Sequence, residues 1–361
     1  MYKLIILVFL AVFFFESCNN TTEDKIKFEV SERAEQKIKP IECDTFMTIK
    51  YNKIIIEDAS HLNTIKTDFN FEDNLSPEHR AITTLNRKEF RFFRIGDTII
   101  TPEIVNKDLR AYSVFPPCYE AGRDIPKIIF VSNKYQCYGC YEYGKLVYFS
   151  AANTGKERTP TFPGRYSLSW KELVRKSSLD STWIMPYTWN FHLQAGNAFH
   201  QYDMPGRPVS HSCVRQFRAD AKWLYKWGEG IKRDSTGEVT KEGTTVIIID
   251  VFDYARKKYG PWLELADNKS IYLELPDKPM EYEEALIPIC QIPEDSRGSL
   301  KNRKRFEDAE QILRDRGVIR PQVNLIHTRN FNKERRLKEK ERLKKLEIEQ
   351  MEKDSSEASV N

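Results

Sequence analysis

Two histidines, one cysteine and two arginines fall within the stretch FHQYDMPGRPVSHSCVRQF, residues 199–217. A cysteine attacks as its thiolate, and a free thiol with a pKa of about 8.5 is mostly protonated at neutral pH, so a neighbouring base must take the proton. Cys213 has two candidates. His211 lies two residues before it, which on an extended strand puts both side chains on one face, and His200 can be folded back alongside by a turn through DMPGRP. If residues 210–215 form a strand edge, Arg215 joins the same face. Zinc is the competing chemistry, because Cys and His are its preferred ligands. Only His200, His211 and Cys213 are at hand, however, and His-x-Cys is a poor chelating pair, so the expectation is a nucleophilic site with no metal and no other cofactor. A buried structural cysteine explains Cys213 alone, not the histidines and arginine around it.

These residues need elements to hold them. The densest β signal starts at IPKIIFVSN, residues 125–133, and continues through two aromatic-rich runs that flank a turn from Glu142 to Lys145, a hairpin by composition. After TPTFPGRYSL and a Gly/Ser/Thr-crowded loop, TTVIIID at residues 244–250 has the composition of a fully buried strand. One helix stands out, Ala219–Trp227, in which Ala221, Leu224 and Trp227 share a face. Residues 125–252 are therefore expected to form one β-rich unit. QCYGC, with Cys137 and Cys140, has no second pair at metal spacing and is expected to be two semi-buried strand cysteines.

The flanks bound the setting. With 57 basic and 53 acidic residues the net charge is only +4, which offers no global field for nucleic acid. MYKLIILVFLAVFFF is too short an apolar run for a comfortable membrane span and is expected to be a leader over 1–17, with Cys18 the lipidated first residue of a mature lipoprotein. Residues 18–40 are polar and suit a tether that holds the protein at a membrane of the cell envelope, on the periplasmic side of an outer membrane. Disulfides are permitted there, although setting one cysteine aside as a free thiol argues against a fully paired framework. Residues 41–123 are expected to form a small α/β accessory module, faintly similar to the wall-binding LysM type. Residues 253–300 are expected to be an extension packed on the core, and 301–361 a charged helical or disordered tail without a packing face, dispensable for chemistry.

SHSCVRQFRADAKWLY, residues 210–225, resembles the signature of the L,D-transpeptidase catalytic-domain (YkuD-type) family: a Ser-His-Gly-Cys-Ile/Val-Arg run followed by an Asp-Ala-x-x-Leu-Tyr helix. QCYGCYEYGKLVYFSAANTG, TPTFPGRY, MPY and FHQ occur in the family's order, so the resemblance covers roughly residues 124–252. It implies a mainly β (α+β) fold, a β-sandwich or barrel with one prominent helix. It also implies an acyl transfer in which Cys213 attacks the carbonyl before the terminal D-alanine of a peptidoglycan tetrapeptide stem. D-alanine leaves, and an amine of a neighbouring stem resolves the thioester as a 3–3 crosslink. With water as acceptor the activity would be that of an L,D-carboxypeptidase; a weakened pocket would leave a peptidoglycan-binding lipoprotein. By the same resemblance His200 is the general base, His211 supports the thiolate and the oxyanion pocket, and Arg215 anchors a substrate carboxylate. Ser210, Ser212 and Tyr187 are expected to line the substrate groove, Tyr187 together with Trp183 and Trp189, although aromatics at this density also build cores. Two residues depart from the family pattern. Ser212 stands where glycine is usual, which would strain a backbone with positive φ, and Gln201 follows His200 where glycine or serine is usual, while keeping the carbonyl expected to orient that histidine.

Overall fold

The computed structural model describes residues 40–256 and 260–358, the last seven of these by backbone alone. The expected leader, the lipidation site Cys18 and all but the last residue of the tether lie outside the described residues. Residues 42–361 make one compact unit, so the accessory module is not a separate body.

That module is β1 (Tyr51–Ile55), α1 (Ala59–Asp68), α2 (Pro77–Asn86) and β2 (Thr98–Pro102), with the two strands antiparallel. Local chemistry sets the helix ends. The Asp58 carboxylate and the Ser76 hydroxyl accept the backbone N–H groups of His61 and His79, and Pro77 sits where a helix tolerates proline. Ile56, Ile65, Ile82, Phe90, Phe93 and Ile99 fill its interior.

The β-rich part runs β3 (Ile128–Ser132), β4 (Cys137–Glu142), β5 (Lys145–Ala151), β6 (Gly164–Ser167), β7 (Lys171–Lys176), β8 (Ile184–His192), β9 (Asn197–Gln201), β10 (Val214–Gln216), α3 (Arg218–Trp227), a short pair β11 (Lys232–Arg233) and β12 (Val239–Lys241), and β13 (Thr245–Ile248). One sheet has the order β5-β4-β3-β13-β6 and the other β10-β9-β8-β7. Both are open among the described residues, so the architecture is mixed α+β and mainly sheet, a sandwich with no closed barrel. Within residues 124–252 the one α-helix among the described residues is α3, and the further helices belong to the module before it and the segments after it. The hairpin between β4 and β5 turns through Tyr143 and Gly144, both at positive φ, the geometry a tight two-residue connection requires.

The five-stranded sheet is covered on both faces, which explains its unbroken apolar runs. Ile129, Val131, Val246 and Ile248 pack with Phe199, Val214 and Leu224 on one side, while Ile128, Phe130 and Ile247 pack with Leu85, Tyr112 and Trp262 on the other. Cys137 and Cys140 are fully rather than half buried and belong to opposite clusters, so they share neither a bond nor a metal. Cys43 and Cys118 form a disulfide that closes a 75-residue separation. The module is tied to the sandwich by a buried ion pair: Arg80 of α2 meets Asp220 of α3, whose carboxylate also accepts the Tyr148 hydroxyl at 2.5 Å and the Ser150 hydroxyl at 2.6 Å.

The expected tail is largely not a tail. Residues 301–330 contain α4 (Arg303–Asp315), which buries Ala309 and Leu313, and Ile319, Val323 and Leu325 follow it into the same core as β3 and β13. Only α5 (Phe331–Ala358) is the solvated charged helix foreseen. The extension over 253–300 does pack on the core, through Trp262, Leu263, Leu286, Ile287, Cys290 and Ile292.

Candidate active site

The site sits where β10 joins β9. These strands run parallel, in a register that pairs Val214 with Phe199 and Arg215 with His200. Cys213 immediately precedes Val214, so it enters the sheet beside Ala198, two residues from His200 on the neighbouring strand. The Ala198 backbone amide bonds the sulfur.

His200 is 4% exposed, and its Nδ1 lies 2.9 Å from the Gln201 carbonyl oxygen. A carbonyl only accepts, so Nδ1 carries the proton and Nε2 is left as the basic nitrogen. The change to glutamine at 201 is harmless for this purpose, because the backbone does the orienting. Burial, assisted by the positive charge of Arg215, holds the imidazole down to about 4 against the pull of that carbonyl bond. Burial also pushes the Cys213 thiol up, with the Ala198 amide and Arg215 opposing. Cys213 therefore rests as a neutral thiol and His200, on the neighbouring strand, as a neutral imidazole, not as a standing thiolate and imidazolium.

The strand edge foreseen for residues 210–215 is replaced by a turn. β10 begins only at Val214, and Ser212 stands at φ +72°, the left-handed region where glycine would be at ease. His211 and Cys213 are thus not related by strand alternation. Surrounding bonds hold the strained residue: its hydroxyl is 3.1 Å from the Asn197 Oδ1 acceptor and 2.5 Å from the His211 carbonyl, and its own carbonyl accepts the Thr161 hydroxyl at 3.0 Å. Ser210 is 2% exposed and donates its hydroxyl to the Cys213 carbonyl at 2.5 Å, so it braces the turn from inside instead of lining a groove.

His211 is half-buried with its ring 6.2 Å from that of Trp183, and burial, with Lys156 nearby, lowers it to about 4. Arg215 lays its guanidinium over the Tyr202 ring at 4.5 Å and donates to the Asp203 carbonyl at 3.1 Å. It forms no ion pair among the described residues. Tyr187 takes positive φ within β8 and faces Tyr225 and Arg218 of α3. Trp189 is buried in the core.

Sequence reasoning missed Asn153. Fully buried, it exchanges backbone bonds with Arg215 at 3.1 and 3.0 Å, accepts the Gly206 amide on Oδ1 at 3.0 Å and donates to the Arg87 carbonyl at 3.0 Å. It joins the module, the 202–207 loop and the site strand at one point. Neighbouring Gly155 packs where a Cβ would lie 2.2 Å from the Thr159 carbonyl, so the loop can only be built with glycine. As for metal, among the described residues no cluster of three or more His, Cys, Asp or Glu could hold an ion.

The family model described as the L,D-transpeptidase catalytic domain (YkuD) matches residues 126–248. No curated protein matches the chain. Among solved structures, an L,D-transpeptidase from Stackebrandtia nassauensis is 26% identical, with 37% of this chain and 58% of that one covered and a TM-score of 0.29. One from Mycobacterium smegmatis is 16% identical over 35% and 59%, with a TM-score of 0.29. One from Xylanimonas cellulosilytica is 17% identical over 56% and 100%, with a TM-score of 0.33. The chain thus spans under two thirds of the length of the first two. The Cys213 turn and the His200 strand both lie within residues 126–248, the stretch that matches the model of the L,D-transpeptidase catalytic domain (YkuD).

Proposed function

We propose that this protein is a cysteine-dependent peptidoglycan L,D-transpeptidase. The observation that carries the reading is the fixed tautomer of His200, whose free Nε2 belongs to the strand beside Cys213. In the proposed cycle the Cys213 sulfur attacks the carbonyl before the terminal D-alanine of a tetrapeptide stem as its proton passes to His200. Backbone N–H groups of the Ser212–Cys213 turn steady the oxyanion, a contribution of roughly 3 kcal/mol per donor. His200 returns the proton to the departing D-alanine amine, leaving a thioester. A neighbouring stem's amine then attacks the thioester, giving up a proton through His200 to the sulfur, and the thiol is restored as the 3–3 crosslink forms. Arg215, charged and without a carboxylate partner among the described residues, suits the substrate carboxylate.

We place the protein in the cell envelope, anchored through Cys18. The Cys43–Cys118 disulfide supports an oxidising compartment. The test is incubation of the purified protein with tetrapeptide muropeptides. Release of D-alanine with crosslinked dimers is expected, tripeptides alone would make it an L,D-carboxypeptidase, and a Cys213→Ala protein as active as the parent would overturn the reading. A pocket that holds stems without turnover is the second reading, favoured by the positive φ of Ser212. Mass spectrometry after exposure to a carbapenem separates the two, since only a competent cysteine acquires the covalent adduct.

A further inference from the structure

Among the described residues His211 has one aromatic ring partner, Trp183, and Trp183 has a second ring neighbour. Its ring lies 6.2 Å from His211 and 5.9 Å from Phe331, the first residue of α5. Trp183 closes the loop between β7 and β8. That loop is bonded within itself: the Trp183 amide donates to the Asp180 carbonyl at 3.0 Å, the Ser177 amide donates to the Trp183 carbonyl at 3.0 Å, and Asp180 accepts both the amide and the hydroxyl of Thr182.

The first turn of α5 grips the same loop from outside. The Asn332 amide donates to the Leu179 carbonyl at 3.0 Å, its side-chain oxygen accepts the Ser181 amide at 2.9 Å, and its Nδ2 donates to the Ser178 carbonyl at 3.1 Å. Arg335 pairs with Asp180 at 2.6 Å. An exposed ion pair alone contributes little, but three backbone-directed bonds from one asparagine fix a loop's position. The remainder of α5 points away as a solvated helix. Its first turn therefore has a job that its composition hides.

We infer that Trp183 is a positioning residue for His211 and a wall of the cysteine pocket, held in place by Asn332 and Arg335 at the start of α5. The inference deepens the reading given under Proposed function and rests on it for its activity arm. With the clamp gone the loop swings, the indole leaves the imidazole, and water and small reagents reach the turn that bears Cys213.

The test compares the full-length parent with Trp183→Ala, Trp183→Phe and an Asn332→Ala/Arg335→Ala double variant. Iodoacetamide alkylation of Cys213 is followed by peptide mass spectrometry, alongside kcat and KM for D-alanine release and the thermal midpoint. Cys137, Cys140 and Cys290 are buried and do not compete. The alanine variants should be alkylated about fivefold faster or more, with kcat lowered about tenfold, KM little changed and the midpoint kept. Trp183→Phe, which retains a ring, should recover most of both. Alkylation and kcat equal to the parent in both alanine variants would overturn the inference. If the parent releases no D-alanine yet alkylation still rises, the clamp stands and the functional reading falls. Should Trp183→Ala fail to fold, the double variant, altered only on the exposed helix, decides alone.

Discussion

Arg215 and His200 are register partners on adjacent parallel strands, so a fixed positive charge faces the proposed base across one strand spacing. Burial first, and this charge second, keep His200 at about 4. A base that low is neutral throughout the physiological range. Expected is a kcat/KM that stays flat from about pH 7.5 down to about 5.5, with its acid limb near the depressed value and not at an ordinary histidine's ~6.5. A limb centred near 6.5 in the pH profile would remove His200 from that role.

The same shift has a stability consequence. His192, His200 and His211 all stand near 4 for want of solvent, against 6.5 when unfolded. Between those values the unfolded chain binds protons that the folded chain refuses, so stability is full above about 6.5 and is lost as pH falls towards 4. Thermal midpoints measured from pH 7.5 to 4.5 should fall progressively below about 6.5, and His192→Gln, at a ring that packs near Tyr166 and Phe306, should make the fall shallower.

Ser212 holds φ +72° where an L side chain is strained. Ser212→Gly should relieve about 1 kcal/mol, less whatever its hydroxyl gains from Asn197 and the His211 carbonyl. A rise in the urea midpoint, with D-alanine release at least that of the parent, is expected. A fall would mean that the Asn197 bond outweighs the strain and that serine is the better residue in this turn.

The Arg80–Asp220 pair is buried at both ends, with side-chain exposures of 13% and 0%. Removing Arg80 strands the carboxylate among Tyr148 and Ser150, and a buried charge without its partner costs about 3–5 kcal/mol. Arg80→Ala should lower unfolding free energy in urea by that order, and adding Asp220→Asn should return part of it. Equal loss in the single and double variants would show that packing, not charge, joins α2 to the sandwich.

Much of this architecture was legible because it is written locally. The β4–β5 turn, the buried strand at Thr245–Ile248 and helix α3 each follow from residues close in sequence or from the family motif. The barrel alternative failed because closure is decided by which strands pair, which composition does not encode. Asn153 was invisible because an asparagine in a loop announces nothing until the chain around it closes. The contact between Trp183 and Phe331 joins two segments with no shared pattern. The packing of α4 did carry a signal: Phe306, Ala309 and Leu313 recur at helical spacing, but the charged residues crowded around them drowned it. Ser212 was the reverse case, since a glycine expected at that place pointed to the positive φ that the serine adopts.

Arg215 is proposed to do two things at once, and one substitution separates them. As an anchor it offers N–H donors beyond the one spent on the Asp203 carbonyl. As a charge it lowers its register partner, His200. Arg215→Gln keeps a planar N–H donor on a shorter side chain and removes the charge and the guanidinium fork, so losing the anchor should raise KM for the tetrapeptide by about tenfold or more. Losing the field should move the acid limb of kcat upwards, because a neighbouring cation disfavours the imidazolium and its removal lets the ring protonate sooner. A raised KM with an unmoved limb would make Arg215 an anchor only, and burial alone would then account for the depressed histidine. A moved limb with unchanged KM would place the substrate carboxylate elsewhere.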